Sequence, residues 1–211
     1  MAKAKRDFTE GPLFTPTLLF SLPIIFSAVI QQLYSAADNI IVGKFSGDPL
    51  ALAAVGTTTS ISGLLLNFII GISVGCGVVI SHAIGARNDK EVSKAVHTAM
   101  TASVILGVVL GAICCIFSRT LLVLSGTPEV LLDRATLYLR IIFLGFLGTS
   151  VYNFSATILR SCGDSRTPLI ALSASGIINV VLNLVFVILL NMGVAGVALA
   201  TIISQYLFHD A

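Results

Sequence analysis

The sequence predicts an all-α protein, a polytopic membrane bundle of six transmembrane helices. Composition is the first observation behind this. Of 211 residues, 56% are hydrophobic and 10% charged, with a mean hydropathy of +1.01. A soluble domain keeps roughly a quarter of its residues charged to cover its surface, so soluble enzymes and disordered chains are excluded. Pattern is the second. The apolar residues fall in six long continuous runs, none with the alternation of a membrane barrel strand. In hydrocarbon a single run satisfies its own backbone only as a helix, and about 20 apolar residues cross a core of about 30 Å. The net charge of +2 comes from scattered residues that form no basic stripe, so nucleic acid is excluded as a partner. The lipid bilayer is the expected surrounding.

The first helix is expected over 13–42. Lys3, Lys5 and Arg6 precede it in a tail over 1–12, yet the run is long, carries Pro23, Gln31 and Gln32, and lacks a small-residue cleavage site. It therefore stays as a span and is not a cleavable signal peptide. The second and third helices are expected over 50–84 and 92–117. In the loop over 118–135, apolar clusters flank Gly126, Thr127 and Pro128, which predicts a short interfacial helix broken at Pro128. The fourth and fifth helices are expected over 136–159 and 169–190, and the sixth starts at Gly193, so that 13–211 forms one six-helix unit. Lys3, Lys5, Arg6, Arg87, Lys90, Lys94, Arg160 and Arg166 fall on one side and outnumber Lys44, Arg119, Arg134 and Arg140 on the other. By the positive-inside rule the N-terminus is cytoplasmic, in a multi-pass protein of the plasma membrane.

Catalysis is not expected. Cys76, Cys114, Cys115 and Cys162 lack metal-ligand spacing, and His82, His97 and His209 are scattered. No cofactor is implied. Gly71 to Gly75 and Gly107 to Gly111 both match the small-xxx-small pattern of close helix packing.

The informative residues are polar ones placed where lipid would exclude them. Asp38 is the only acidic residue within an expected span, and an ionisable group there costs at least about 2.5 kcal/mol. Counted from position 42 at about 1.5 Å per residue, it lies about 6 Å below the outer end. Gln31, Tyr34 and Asp38 recur at i, i+3, i+7 and share one stripe. Asn179 and Asn183 repeat the pattern on the fifth helix, as do Thr201 and Gln205 on the sixth, at about 10 to 12 Å for Asn183 and Thr201. A buried, partly hydrated proton or cation site needs such a set of groups. Plainer readings stand beside it. Asp38 can be where the helix meets headgroups, the asparagines can be interhelical hydrogen-bond glue, and the kink expected at Pro23 is either a static bend or a hinge.

The stretches QQLYSAADNIIVGKF (31–45), ALAAVG (51–56), SHAIGARNDKE (81–91), ILRSCGDSRTP (158–168), INVVLNLVFV (178–187) and GVAGVALATIISQ (193–205) occur in the order and spacing of one family. As a set they resemble the multidrug and toxic compound extrusion (MATE) transporters. The resemblance implies a secondary antiporter that exports cationic or amphipathic compounds, small organic cations among them, in exchange for H+ or Na+. It implies one lobe of a twelve-helix transporter. Matched by position, Asp38 corresponds to the coupling carboxylate, where Na+ would be the one metal ion involved. Asn179 and Thr201 correspond to further coupling-site groups, Tyr34 to a cavity residue and Pro23 to the helix hinge. Gln31 and Gln205 are the expected companions of Tyr34 in a substrate cavity. Asn183 departs from the pattern of proton-coupled archaeal relatives, which carry an aspartate there.

A complete member would have about twice this length, so the resemblance implies an N-terminal lobe whose C-terminal partner lobe is missing. That lobe is a truncation, a fragmented gene product or, less simply, half of a parallel homodimer. A lipid-linked oligosaccharide flippase of the same superfamily would line its cavity with cations, whereas, apart from Lys94 just inside the third helix, only Arg140 falls inside an expected span, near its outer end. A non-transporting membrane subunit, or a remnant, is the reading from a different class.

Overall fold

The computed structural model describes residues 14–206 and is helical throughout them apart from short turns. Helices α1 (Phe14–Phe45), α2 (Ala51–Gly85) and α3 (Asp89–Leu124) are followed by α4 (Glu129–Leu144), α5 (Phe146–Ser161), α6 (Arg166–Asn183) and α7 (Gly193–Tyr206). A π-helical turn, Leu184–Leu189, continues α6 directly. The segment 1–12 and Asp210 lie outside the described residues. Among the described residues four helices are long and apolar enough to cross a membrane: α1, α2, α3 and α6 with its π turn. The fourth expected span is present as α4 and α5 in succession, and the sixth as the shorter α7.

Local chemistry sets most boundaries. The Asn88 side chain accepts from the Glu91 backbone N–H at 3.2 Å, and Asp89 and Glu91 occupy the first turn of α3, where negative charge favours a helix N-terminus. At the far ends of α3 and α5 the chain turns through Gly126 (φ +75) and Gly163 (φ +84). There Thr127 N–H donates back to Leu122 O and Asp164 N–H to Leu159 O, closing left-handed caps that suit glycine. The next helix is capped by Asp164, which accepts from the Arg166 and Thr167 backbone N–H groups and from the Thr167 hydroxyl. Partial burial pushes its carboxyl up, but these bonds outweigh that and hold it below the usual carboxylate range.

Two expectations are corrected. No separate interfacial helix occupies 118–135: α3 runs on to Leu124, the turn takes 125–128, and Pro128 caps α4. The apolar clusters there are the ends of core helices, since Leu122, Leu131 and Leu132 are all buried. The fourth span, expected to begin at 136, starts at Glu129 and is interrupted at Gly145, where a Cβ would come within 2.5 Å of Ile202 on α7. Phe143 and Phe146 flank this break and meet edge to face, with ring centroids 5.2 Å apart.

The core lies among α2, α3, α4 and α5, around Ile69, Leu122, Leu139, Phe143 and Phe154. A second cluster, including Val42, Val55, Val187 and Val197, joins α1, α2, the π turn and α7 at the end of the bundle carrying the 46–50 loop. Only Ser27, Ile41 and Val42 of α1 are buried, and its exposed Leu18, Leu22, Phe26 and Leu33 make an apolar face that hydrocarbon tolerates and water does not. The 46–50 loop is tied to α4 by an ion pair between Asp48 and Arg134, while Asp48 Oδ1 also accepts from Leu50 N–H at 3.0 Å. The Leu50 bond first, then Arg134, holds the Asp48 carboxyl below its usual range.

Only one of the two small-residue motifs is used. A Cβ at Gly107 would lie 2.7 Å from the Leu147 Cα and one at Gly111 2.8 Å from the Phe143 carbonyl oxygen, both backbone atoms of the α4–α5 segment, whereas Gly71 and Gly75 face open space. Gly107→Ala should therefore destabilise the detergent-solubilised protein by about 1–3 kcal/mol through overpacking. Gly75→Ala should be neutral or stabilising by up to about 1 kcal/mol. Thermal unfolding of the two variants side by side tests this, and equal melting temperatures would contradict the packing.

Asp48 makes a pH prediction. Because its folded-state value is depressed, it contributes stability above the ordinary carboxylate pKa of about 3.9, and this is lost as pH falls through the lowered folded value. Asp48→Asn should thus lower the melting temperature at neutral pH, and the gap to the parent protein should close in acid. A gap that persists unchanged below about pH 2.5 would rule out the charge on Asp48 as its source.

Candidate functional site

The site is built where α1, α6 and α7 converge. Thr201 is in α7, and its hydroxyl donates to the Val197 carbonyl at 2.9 Å, which leaves its oxygen to accept from Asn179 Nδ2 at 3.3 Å. The Asn179 Oδ1 accepts from Asn183 Nδ2 at 3.1 Å, and the same amide donates to Asp38 Oδ1 at 2.5 Å. The four residues proposed for coupling are therefore one continuous ladder that ends on a carboxylate. Both protons of the Asn183 amide are used.

Helix geometry explains the agreement in depth. α1 runs to Phe45, three residues beyond the expected end, so Asp38 sits about 10 Å from the helix end instead of about 6 Å. Thr201, eight residues into α7, lies at about 12 Å by the same count. The spacing of Asn179 and Asn183 at i, i+4 puts both amides on one face of α6, and the π turn begins immediately after Asn183. A π turn shifts the register of the following side chains, a feature often found at functional positions.

Asn183 is fully buried and Asn179 nearly so, while Asp38 is half-buried. The Asn183 Oδ1 is sealed from solvent and has no hydrogen-bond partner among the described residues. A lone carboxylate beside an unused amide oxygen offers two hard oxygen ligands, suited to a proton or a monovalent cation. No group of three or more His, Cys, Asp or Glu that could hold a metal gathers among the described residues. Tyr138 of α4, which no sequence pattern singled out, packs on the neighbouring apolar cluster and lies within electrostatic reach of Asp38.

The proposed cavity residues separate. Gln31 and Gln205 line one cavity of about 260 Å³ between α1, α2, α5, α6 and α7, together with Ser27, Thr149, Tyr152 and Asn153. Tyr34 is not part of its wall. Its hydroxyl donates to the Ser173 carbonyl at 2.8 Å, and its ring fills the space over Gly176, where a Cβ would fall 1.5 Å from Tyr34 Cζ. Tyr34 thus fastens α1 to α6. Pro23 lies within an uninterrupted α1, and its carbonyl accepts from the Ser27 hydroxyl at 2.8 Å.

Sequence reading also misplaced a cation. A fourth span over 136–159 puts Arg160 in the following loop, but it belongs to the last turn of α5 and lines the cavity. Arg140 lies in α4, where its exposed side chain donates from Nε to the buried Ser118 hydroxyl of α3 at 3.3 Å and does not line the cavity. The nearby Thr149, Tyr152 and Asn153 carried a readable signal, being polar residues clustered on one face of an apolar run.

The MatE family profile matches residues 23–185. The chain is similar to the "Probable multidrug resistance protein YpnP" of Bacillus subtilis, 33% identical over 94% of this chain and 44% of that protein. It is likewise similar to the "Probable multidrug resistance protein YoeA" of the same organism, 36% identical over 88% of this chain and 41% of that one. Among solved structures, the "Crystal structure of MATE in the bent conformation" superposes with a TM-score of 0.85 at 28% identity, covering 92% of this chain and 44% of the other. The chain thus spans under half the length of these relatives.

The ladder predicts an energetic coupling. Asn183→Ala removes the donor to Asp38 and should cost about 1–3 kcal/mol. In an Asp38→Ala background the same change should cost less, by about 0.5–3 kcal/mol of interaction energy. Thermal unfolding of both single variants and the double variant measures this, and strictly additive losses would show that the two side chains do not act as a unit.

Proposed function

The chain belongs to the MatE family, a family of transporters and not of enzymes, and on that premise we propose that it is the N-terminal half of a secondary active efflux transporter. It exports cationic or amphipathic compounds in antiport with H+ or Na+. The observation that carries this reading is the ladder from Thr201 through Asn179 and Asn183 to Asp38. It holds a single carboxylate inside an apolar bundle and keeps one amide oxygen free beside it.

A carboxylate at that depth is costly while charged and unpaired. A proton or Na+ neutralises it, and so does a cationic substrate drawing near. Occupancy by one therefore lowers affinity for the other, which is the thermodynamic core of antiport. Pro23 supplies the hinge. A proline leaves the carbonyl one turn earlier without its helical donor, and the stretch of α1 around it buries only Ser27. The cavity bearing Gln31 and Gln205 provides one wall of the substrate path, and a second lobe provides the other. The protein sits in the plasma membrane with its N-terminus in the cytoplasm, so the Asp38 end of the bundle faces out.

Cells expressing the complete gene should accumulate less of a fluorescent organic cation such as ethidium than cells without it. Asp38→Asn should abolish that difference, by about 10-fold in export rate or more, at unchanged protein level in the membrane. Retention of gradient-driven export by the variant would remove the proposed mechanism.

A further inference from the structure

The Asp38 ladder does not account for the charge in the second polar region. Among the described residues the wall of the cavity of about 260 Å³ contains no carboxylate, and its one ionised residue is Arg160. The Arg160 Nε is buried without a hydrogen-bond partner, and among the described residues the side chain makes no ion pair. Its charge reaches the phenol of Tyr152, another wall residue, whose hydroxyl is already donated to the Pro168 carbonyl at 3.2 Å.

The wall's other polar groups divide into spent and free ones. The Thr149 hydroxyl donates to Gln205 Oε1 at 2.7 Å, and Asn153 Nδ2 donates to the Thr149 carbonyl at 2.8 Å. The Gln205 acceptor is thus occupied while its amide N–H groups have no partner among the described residues. The available groups include the amide oxygens of Gln31 and Asn153, but the one charged group among them is a donor, a guanidinium fork whose shape matches carboxylate or phosphate. Ile24, Leu66, Ile70 and Leu172 complete the wall with apolar surface. Placement in the last turn of α5 favours a cation through the helix dipole, but that leaves the Nε proton unsatisfied.

We propose that this cavity binds the anionic end of an amphiphile, a carboxylate or phosphate, with Arg160 as its counter-charge and Gln205 as a flanking donor. The apolar tail lies along Ile24, Leu66, Ile70 and Leu172. The site goes beyond antiport at Asp38 and needs no transport step to be occupied. The same chemistry is offered by an anionic phospholipid headgroup entering from the bilayer and by a soluble amphipathic anion.

The chain reconstituted in phosphatidylcholine nanodiscs is titrated calorimetrically with decyl phosphate and with decyltrimethylammonium, which share a tail and differ in the sign of the head. Decyl phosphate should bind about 10-fold tighter. Arg160→Gln should erase that preference, and Arg160→Lys, which keeps the charge without the fork, should retain part of it. Gln205→Leu should weaken decyl phosphate about 3-fold, and it serves as the reading should Arg160→Gln fail to fold. Nanodiscs containing phosphatidylglycerol separate the sources. Loss of decyl phosphate binding there identifies a lipid headgroup as occupant, and unchanged binding identifies a soluble anion. Equal affinity for the two probes, or decyl phosphate binding within 2-fold of the parent in folded Arg160→Gln, would overturn the proposal. Because the readout is equilibrium binding, its failure is distinguishable from a failure of Asp38-dependent export.

Discussion

A carboxylate inside an apolar helix must find donors, and at Asp38 the donor comes from a residue 145 positions away in sequence, the amide of Asn183. Much of the local architecture serves that one bond. α1 and α6 have to lie close enough for an amide to reach a carboxylate, which Tyr34 and Gly176 allow by letting a phenol ring occupy the place of a side chain. Asn183 has to be held in a fixed rotamer, which Asn179 does from one turn below and Thr201 does in turn from α7. Each member is oriented by the next, so the cost of burying these polar groups is offset only when the ladder is complete.

The rest of the bundle provides a frame that does not need α1. The main core among α2, α3, α4 and α5 is closed by backbone-to-backbone approach at Gly107 and Gly111 and by the Phe143–Phe146 pair across Gly145. α1 contributes nothing to that cluster. Its buried residues are few, so it is held by the ladder, by the Tyr34 bond and by the small cluster at Ile41 and Val42. Elements with few buried contacts are the ones that shift at low free-energy cost. The carboxylate proposed for ion coupling is thus carried on the least anchored long helix of the bundle.

The broad outline was legible because hydrocarbon imposes a simple rule: a span is long and apolar, and a polar residue inside it needs a reason. That rule located the long helices, and it singled out Asp38, Asn179, Asn183 and Thr201, which the structure joins. It failed where tertiary contact overrides composition. At Gly145, where the fourth span is interrupted, Ile202 occupies the space a side chain would need, and nothing in an apolar run of residues announces that neighbour. Over 118–135, leucines that suit an interface equally suit a core, and the structure uses them in the core. Arg160 falls outside the expected span because α5 runs two residues beyond 159, and the π turn after Asn183 has no compositional mark. Tyr138 and Tyr34 look alike in sequence, yet one stands near the carboxylate and the other locks two helices together.

Correcting Arg160 changes the electrostatic picture of the lobe. With Arg160 counted as a loop cation and Arg140 at the bundle surface, the one charge left in the interior is on Asp38. With it on the cavity wall, two opposite charges occupy the bundle, toward opposite ends of it, and they are not paired with each other. In water that separation would matter little, but in a low-dielectric bundle each unpaired charge raises the value of any counter-charge that arrives. A cation is drawn toward the Asp38 end and an anion toward the Arg160 end. Gln31, on the cavity, and Asp38, on the ladder, are two turns apart on α1, so the same loosely anchored helix lines both regions. Any displacement of α1 that alters the donor set at Asp38 also reshapes the wall opposite Arg160, because one rigid helix carries both.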